Sequence, residues 1–164
     1  MKSERSYLQS PLKRYGSQAF TMLEVMLVVI IMAAAVGFLL LYSQASQVRA
    51  DVNAQASTLV SYMRLAQSDA MSGNGNQSHG IHLETMAYTI FEGSTYSALD
   101  TTNFKIDLPP AVTIENIALN GGGADVIFNP PFGETSTYGT FDITSSQIQK
   151  TISITVSQIG TIAY

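Results

Sequence analysis

From Phe20 to Tyr42 the chain is apolar at almost every position, and the only charge in that stretch is Glu24. At about 1.5 Å per residue a helix over these positions is roughly 34 Å long, against a hydrocarbon layer about 30 Å thick. The segment can span a bilayer. Beyond Tyr42 the pattern turns polar with a regular apolar beat: Val48, Val52, Ala56, Leu59, Met63, Ala66 and Ala70 recur at steps of three and four. That spacing lines one face of an amphipathic helix, with Gln47, Arg49, Asp51, Asn53, Ser57, Ser61, Arg64 and Ser68 opposite. No Pro or Gly interrupts Ser43 to Ser72, so the two stretches are expected to form one helix of about 75 Å. Gly73-Asn74-Gly75-Asn76 is expected to end it.

From Ser78 the period shortens. Runs of strand-forming residues bounded by turn residues predict strands at Gly80 to Glu84, Ala87 to Glu92, Phe104 to Asp107, Val112 to Leu119, Asp125 to Phe128, Tyr138 to Ile143, Thr151 to Ser157 and Thr161 to Tyr164. The clearest alternation is Ile152, Ile154 and Val156 between Thr151, Ser153, Thr155 and Ser157, which is a half-buried antiparallel strand. Pro109-Pro110, Gly121-Gly122-Gly123, Asn129-Pro130-Pro131-Phe132-Gly133 and Gly160 separate the runs. So many short strands need a lid for their core, and the apolar face of the helix supplies it. The predicted class is α+β: a long N-terminal helix whose first half crosses a membrane, packed against a β-rich C-terminal head.

Charge orients this arrangement. Lys2, Arg5, Lys13 and Arg14 precede the apolar span with only Glu4 among them, which holds the N-terminus in the cytoplasm and sends the chain from Ser43 outward. Residues 20–164 keep 4 basic and 11 acidic side chains, a net of −7, a poor surface for nucleic-acid phosphates. There is no Cys, hence no disulfide and no lipid attached through sulfur. An ordinary secretory signal cut at Ala33-Ala34-Ala35 is the competing reading of the apolar segment. Against it, the chain stays apolar through Val36, Phe38, Leu39, Leu40 and Leu41, and Glu24 interrupts the front of the apolar run.

Glu24 is the position that demands a reason. A carboxylate inside a membrane span is costly, less so near an end, and marks a functional residue whose partner should be sought. No Lys or Arg lies between Phe20 and Val48. A backbone amine would serve if the chain were cut just before Phe20.

The order Ala19-Phe20-Thr21-Met22-Leu23-Glu24 followed by about 18 apolar positions resembles the N-terminal signal of type IV pilins and type II secretion pseudopilins. The resemblance implies cleavage between Ala19 and Phe20 by a prepilin peptidase, N-methylation of Phe20, and pairing of Glu24 with the terminal amine of a neighbouring subunit. Gly usually stands where this chain has Ala19. The nearby Gly16 is the other candidate, but a cut there would move the new amine three residues further from Glu24. The head is similar to that of the H-type (FimT-like) minor pseudopilins: Leu65-Ala66-Gln67-Ser68-Asp69-Ala70 resembles their helix end, and the strand, Gly160 and short last strand resemble their close. Members of that group that bind DNA carry Arg around the final Gly, where this chain has Gln158, Ile159, Thr161 and Ile162.

The resemblance divides the chain into a cleaved cytoplasmic leader (1–19), a transmembrane and assembly half of the helix (20–42), an amphipathic half (43–73) and a β-rich, pilin-like head (78–164). Its implied partners are a prepilin peptidase, other pilin or pseudopilin subunits, an inner-membrane assembly platform and the membrane itself, with no nucleic acid. The implied function is that of a structural filament subunit with no cofactor. The alternative is a membrane-anchored, unprocessed extracytoplasmic binding domain.

Enzymatic chemistry finds little footing. His79 and His82, the only histidines, are three apart, so on a strand they face opposite sides and make a poor metal pair; both are read as surface strand residues. Gly121-Gly122-Gly123 leads to Ala124-Asp125 rather than to a phosphate-binding Lys, and neither Gly-x-Ser-x-Gly nor His-Glu-x-x-His occurs. No oxygen-rich run like a calcium loop is present, so no metal is expected. The polar loops Ser94 to Asn103 and Asn129 to Thr137 are where a partner or client could be recognised.

Overall fold

The computed structural model describes residues 20–73 and 76–164. The leader lies outside the described residues, as do Asn74 and Gly75 of the expected helix stop. One helix, α1 (Met22–Ser72), is followed by eight strands: β1 (His79–Glu84), β2 (Ala87–Glu92), β3 (Phe104–Asp107), β4 (Thr113–Leu119), β5 (Asp125–Phe128), β6 (Gly139–Ser145), β7 (Lys150–Val156) and β8 (Ile162–Ala163). The class is α+β. The chain divides into two compact units, one ending at Leu39 and one starting at Leu40.

In the first unit α1 is apolar around its whole circumference. Met22–Leu39 has a mean hydropathy of 2.6 with none of the window buried, so it is long and apolar enough to cross a membrane.

In the second unit the later turns of α1 bury the predicted stripe. Val52, Ala56, Leu59, Met63, Ala66 and Ala70 are buried, with Val48 only half so. Val60, off that stripe, is buried as well. The buried face is therefore wider than a three-four beat suggests. It has two sheets to meet: β3-β2-β1-β5 and β4-β6-β7-β8, antiparallel wherever strands pair. Ile81, Leu83, Tyr88, Val126 and Phe128 from the first sheet cluster with Ile114, Phe141, Ile143, Ile154 and Val156 from the second and with the helix stripe. Alternation along β7 is as the sequence suggests, with Ile154 and Val156 buried and Thr151, Ser153 and Thr155 exposed.

Strand parity corrects one expectation. His79 is not a surface residue, and His82 is only partly one. His79 shares a face with Ile81 and Leu83, stands in register with Phe128 and is only 5% exposed. His82, on the opposite face, is half-buried. Its ring stacks on Tyr96, with centroids 4.0 Å apart and planes within 7°, and Tyr96 in turn meets the edge of Phe91. His82 Nδ1 lies 2.5 Å from Asp125 Oδ1, while Lys105 Nζ donates to Glu84 Oε2 at 2.7 Å. The loop after β2 thus covers the outer face of its sheet, and both faces of β1 are occupied.

On the inner face the Tyr88 hydroxyl is buried without a hydrogen-bond partner among the described residues. Burial, and to a lesser degree the nearby Tyr62 phenol, pushes its pKa up to about 12. The group stays neutral because ionising it there would strand a charge away from water.

Candidate functional site

Two places collect the residues singled out from the sequence, one in each unit. The first is the start of α1. Phe20 and Thr21 precede the helix and Met22 is its first residue. The Glu24 amide donates to Thr21 Oγ1 at 3.2 Å, and the Val25 amide to the Thr21 carbonyl at 3.2 Å. Thr21 is therefore the N-cap and Glu24 the third helical residue, the spacing of a capping box. A carboxylate at this position also meets the positive end of the helix dipole, worth about 0.3 to 1 kcal/mol. Part of the reason for an acid here is local. The Thr-x-x-Glu spacing was visible in the sequence, although the reading of Glu24 as a charge in lipid passed over it.

Local capping does not neutralise the carboxylate. No ion pair reaches Glu24 among the described residues, whose Lys and Arg side chains are Arg49, Arg64, Lys105 and Lys150. Phe20 is 77% exposed. Phe20 and Glu24 line one open cleft of about 280 Å³ with Val25, Val28 and Val29. The structure thus brings together two of the three residues at the expected processing and assembly site, while Ala19 lies outside the described residues. Further along, a Cβ on Gly37 would meet nothing within 4 Å, so that face of the helix is open to close approach.

The second place is an end of the head. Residues 129–137, between β5 and β6, meet the turn 157–161 and the last turns of α1. The Asn129 amide donates to the Glu134 carbonyl, Gly133 N to the Asn129 carbonyl and Thr135 N to the Gln158 carbonyl, each at 2.9 Å. Gln67 Nε2 donates to the Gly133 carbonyl at 3.1 Å. Ser78 Oγ bonds Asn129 Oδ1 at 2.9 Å. Glycine is required where these pieces meet: a Cβ on Gly160 would lie 2.2 Å from Gln67 Nε2 and 2.3 Å from the Gly133 carbonyl oxygen. The result is a pocket of about 210 Å³ lined mainly by Asn129, Phe132, Glu134, Ser136 and Gln158.

Comparison with protein-family models, with curated proteins and with solved structures found no match.

The loop Asn129 to Thr137 was singled out from the sequence, but its closure with Gln158 was not, because nothing in the spacing ties residues so far apart. The loop Ser94 to Asn103 is turned partly inward through Tyr96, leaving Leu99 93% exposed at its tip. Among the described residues no group of three His, Cys, Asp or Glu side chains is placed to hold a metal ion. Two head carboxylates are held below the usual aspartate range: Asp142 by the Ser153 hydroxyl at 2.6 Å and then the Asn116 amide at 2.8 Å, and Asp100 by the Thr102 backbone amide and then its hydroxyl. Both have partners that explain them without chemistry on a substrate.

Proposed function

We propose that this chain is a non-enzymatic structural subunit of a pilus-like filament, of the type IV pilin or type II secretion pseudopilin kind. Its precursor enters the inner membrane with the basic leader inside. A prepilin peptidase cuts between Ala19 and Phe20, the new amine of Phe20 is methylated, and the apolar helix passes from lipid into a bundle of like helices beside a membrane assembly platform. The β head stays outside.

The observation that carries this reading is Glu24, a carboxylate beside Phe20 at the start of an apolar stretch of helix, Met22–Leu39, none of which is buried, with no cationic partner among the described residues. The helix dipole offsets part of the cost of the charge. A neighbouring subunit's freed amine would offset the rest. Removing one member of a buried ion pair costs about 3 to 5 kcal/mol, so a subunit with an uncut leader or the wrong stagger is rejected by charge alone.

The mass of the membrane-extracted chain tests the first step. A chain beginning at methylated Phe20 is the expected result. An intact Met1, or a start near Val36, contradicts it in favour of an anchor or a secretory signal. The pocket at residues 129–136 and Gln158 favours one alternative, a membrane-anchored extracytoplasmic binding domain that is never processed; an intact N-terminus together with ligand binding by the head is its signature.

A further inference from the structure

The pocket at the end of the head is framed by hydrogen bonds within the head. Its two loops are tied to each other by Thr135 N and the Gln158 carbonyl, to the helix by Gln67, and to the segment before β1 by Ser78. Preformed walls spare a ligand the cost of ordering loops. The volume of about 210 Å³ is about seven times the ~30 Å³ share of a liquid water, room for a planar side-chain tip and part of its stem.

The lining has a distinct chemistry. Among the described residues that line it, Glu134 supplies the only ionised group and none is Lys or Arg. Among the described residues Glu134 is in no ion pair. Phe132 presents an aromatic ring that is 71% exposed. Gln158 and Ser136 add neutral acceptors. The surroundings are short of positive charge: residues 20–164 hold 11 acids against 4 bases, of which Lys105 is taken by Glu84 and Lys150 by Asn53. A flat cation that stacks on a ring while its edge donates twice to a carboxylate is a guanidinium. An ammonium would meet the carboxylate and the ring only as a point charge, without the planar stack or the two parallel hydrogen bonds, and a neutral sugar would leave the charge unanswered.

We infer that this pocket binds an arginine side chain displayed by a partner protein, with Glu134 accepting from the guanidinium edge and Phe132 stacking on its face. The site belongs to the head and stands whether or not Glu24 directs assembly.

The test uses the full chain in detergent micelles, followed by NMR of its backbone amides, with N-acetyl-arginine methylamide as probe and N-acetyl-lysine methylamide and methyl glucoside as comparators. The arginine compound is expected to shift the signals of Glu134, Thr135, Ser136 and Gln158 saturably, and to weaken as salt is raised. Glu134→Gln should weaken it about tenfold or more, and Phe132→Ala about threefold. Both positions are exposed, and neither side chain is among the groups that tie the loop (the Asn129, Gly133 and Thr135 amides, Gln67 and Ser78), so neither change should unfold it. Glu115→Gln, removing an exposed carboxylate on β4, should leave binding unchanged. Equal binding by the lysine compound, stronger shifts from the glucoside, undiminished binding by Glu134→Gln, or no movement of these signals at the highest soluble concentration would overturn the assignment.

Discussion

The same helix supports two opposite solutions to one problem. In its later turns the apolar side chains Val52, Leu59 and Met63 are buried by sheets of their own chain. In its first turns Leu23, Ile30 and Phe38 are 68 to 75% exposed, and Glu24 has no cationic partner within the described chain. One region is complete by itself. The other leaves its apolar surface uncovered within the described chain, although apolar area in water and an unpaired charge in oil are both costly. The first turns are apolar on every side but for Glu24, whereas in the later turns polar positions alternate with apolar ones, and that alternation gives the helix one face to bury and one to leave wet.

The contrast breaks most readily in the core. Phe141→Ala should cost the head about 3 to 5 kcal/mol, whereas Ile30→Ala should change its stability by under ~0.5 kcal/mol. Denaturant unfolding of the full chain in detergent, followed by the near-ultraviolet signal of the head, compares them. Equal losses would mean that the first unit is not independent of the second.

A smaller effect is expected at Gly160. Its φ of +85° and the 2.2 Å approach to Gln67 leave no room for Ala, so Gly160→Ala should cost about 1 to 3 kcal/mol and disturb the amide signals of residues 129–136 before those of β1 or β2. Uniform disturbance would count against the turn as the local clamp.

Thr21→Ala sharpens the account of the helix start. Loss of the cap should cost about 1 kcal/mol, read as faster amide exchange at Glu24 and Val25 with the head unchanged. Unaltered exchange would show that the capping box contributes nothing there.

The smallest effect concerns pH. The Asp142 carboxyl is lowered below its ordinary value of 3.8 by Ser153 and then Asn116. A carboxyl that is more acidic in the folded chain adds stability above the unfolded value and gives it up as pH falls through the folded one. The contribution is therefore lost below about pH 4, and it is slight because the group is well solvated. NMR titration of Asp142 should show its midpoint rising in Ser153→Ala, with less change in Asn116→Ala.

Much of the fold was legible because its signals are local. All eight strands of the described chain start within one residue of where turn residues and alternation placed them, and β2, β3 and β5 start on the expected residue. The helix stripe was readable for the same reason. Val60 was not: its burial depends on a second sheet flanking the helix, and periodicity on one element says nothing about how many neighbours it has. The division into β3-β2-β1-β5 and β4-β6-β7-β8 was likewise beyond reach, since alternation fixes which face of a strand is buried but not which strand lies beside it. His79 illustrates the limit from the other side. Its parity with Ile81 and Leu83 was in the sequence, yet a His at a strand end reads as polar until its register with Phe128 is known. At the candidate sites, Phe20 and Glu24 were found because their chemistry is contiguous, whereas Gln158 joins Glu134 only through the tertiary fold.

The central claim is that Glu24 is made tolerable by a second subunit's amine, and polymer formation by Glu24→Ala measures it most directly. In cells with an active processing peptidase, the variant should insert and lose its leader like the parent chain, yet fail to enter filaments or enter them out of register. Normal incorporation of the processed variant would contradict the account.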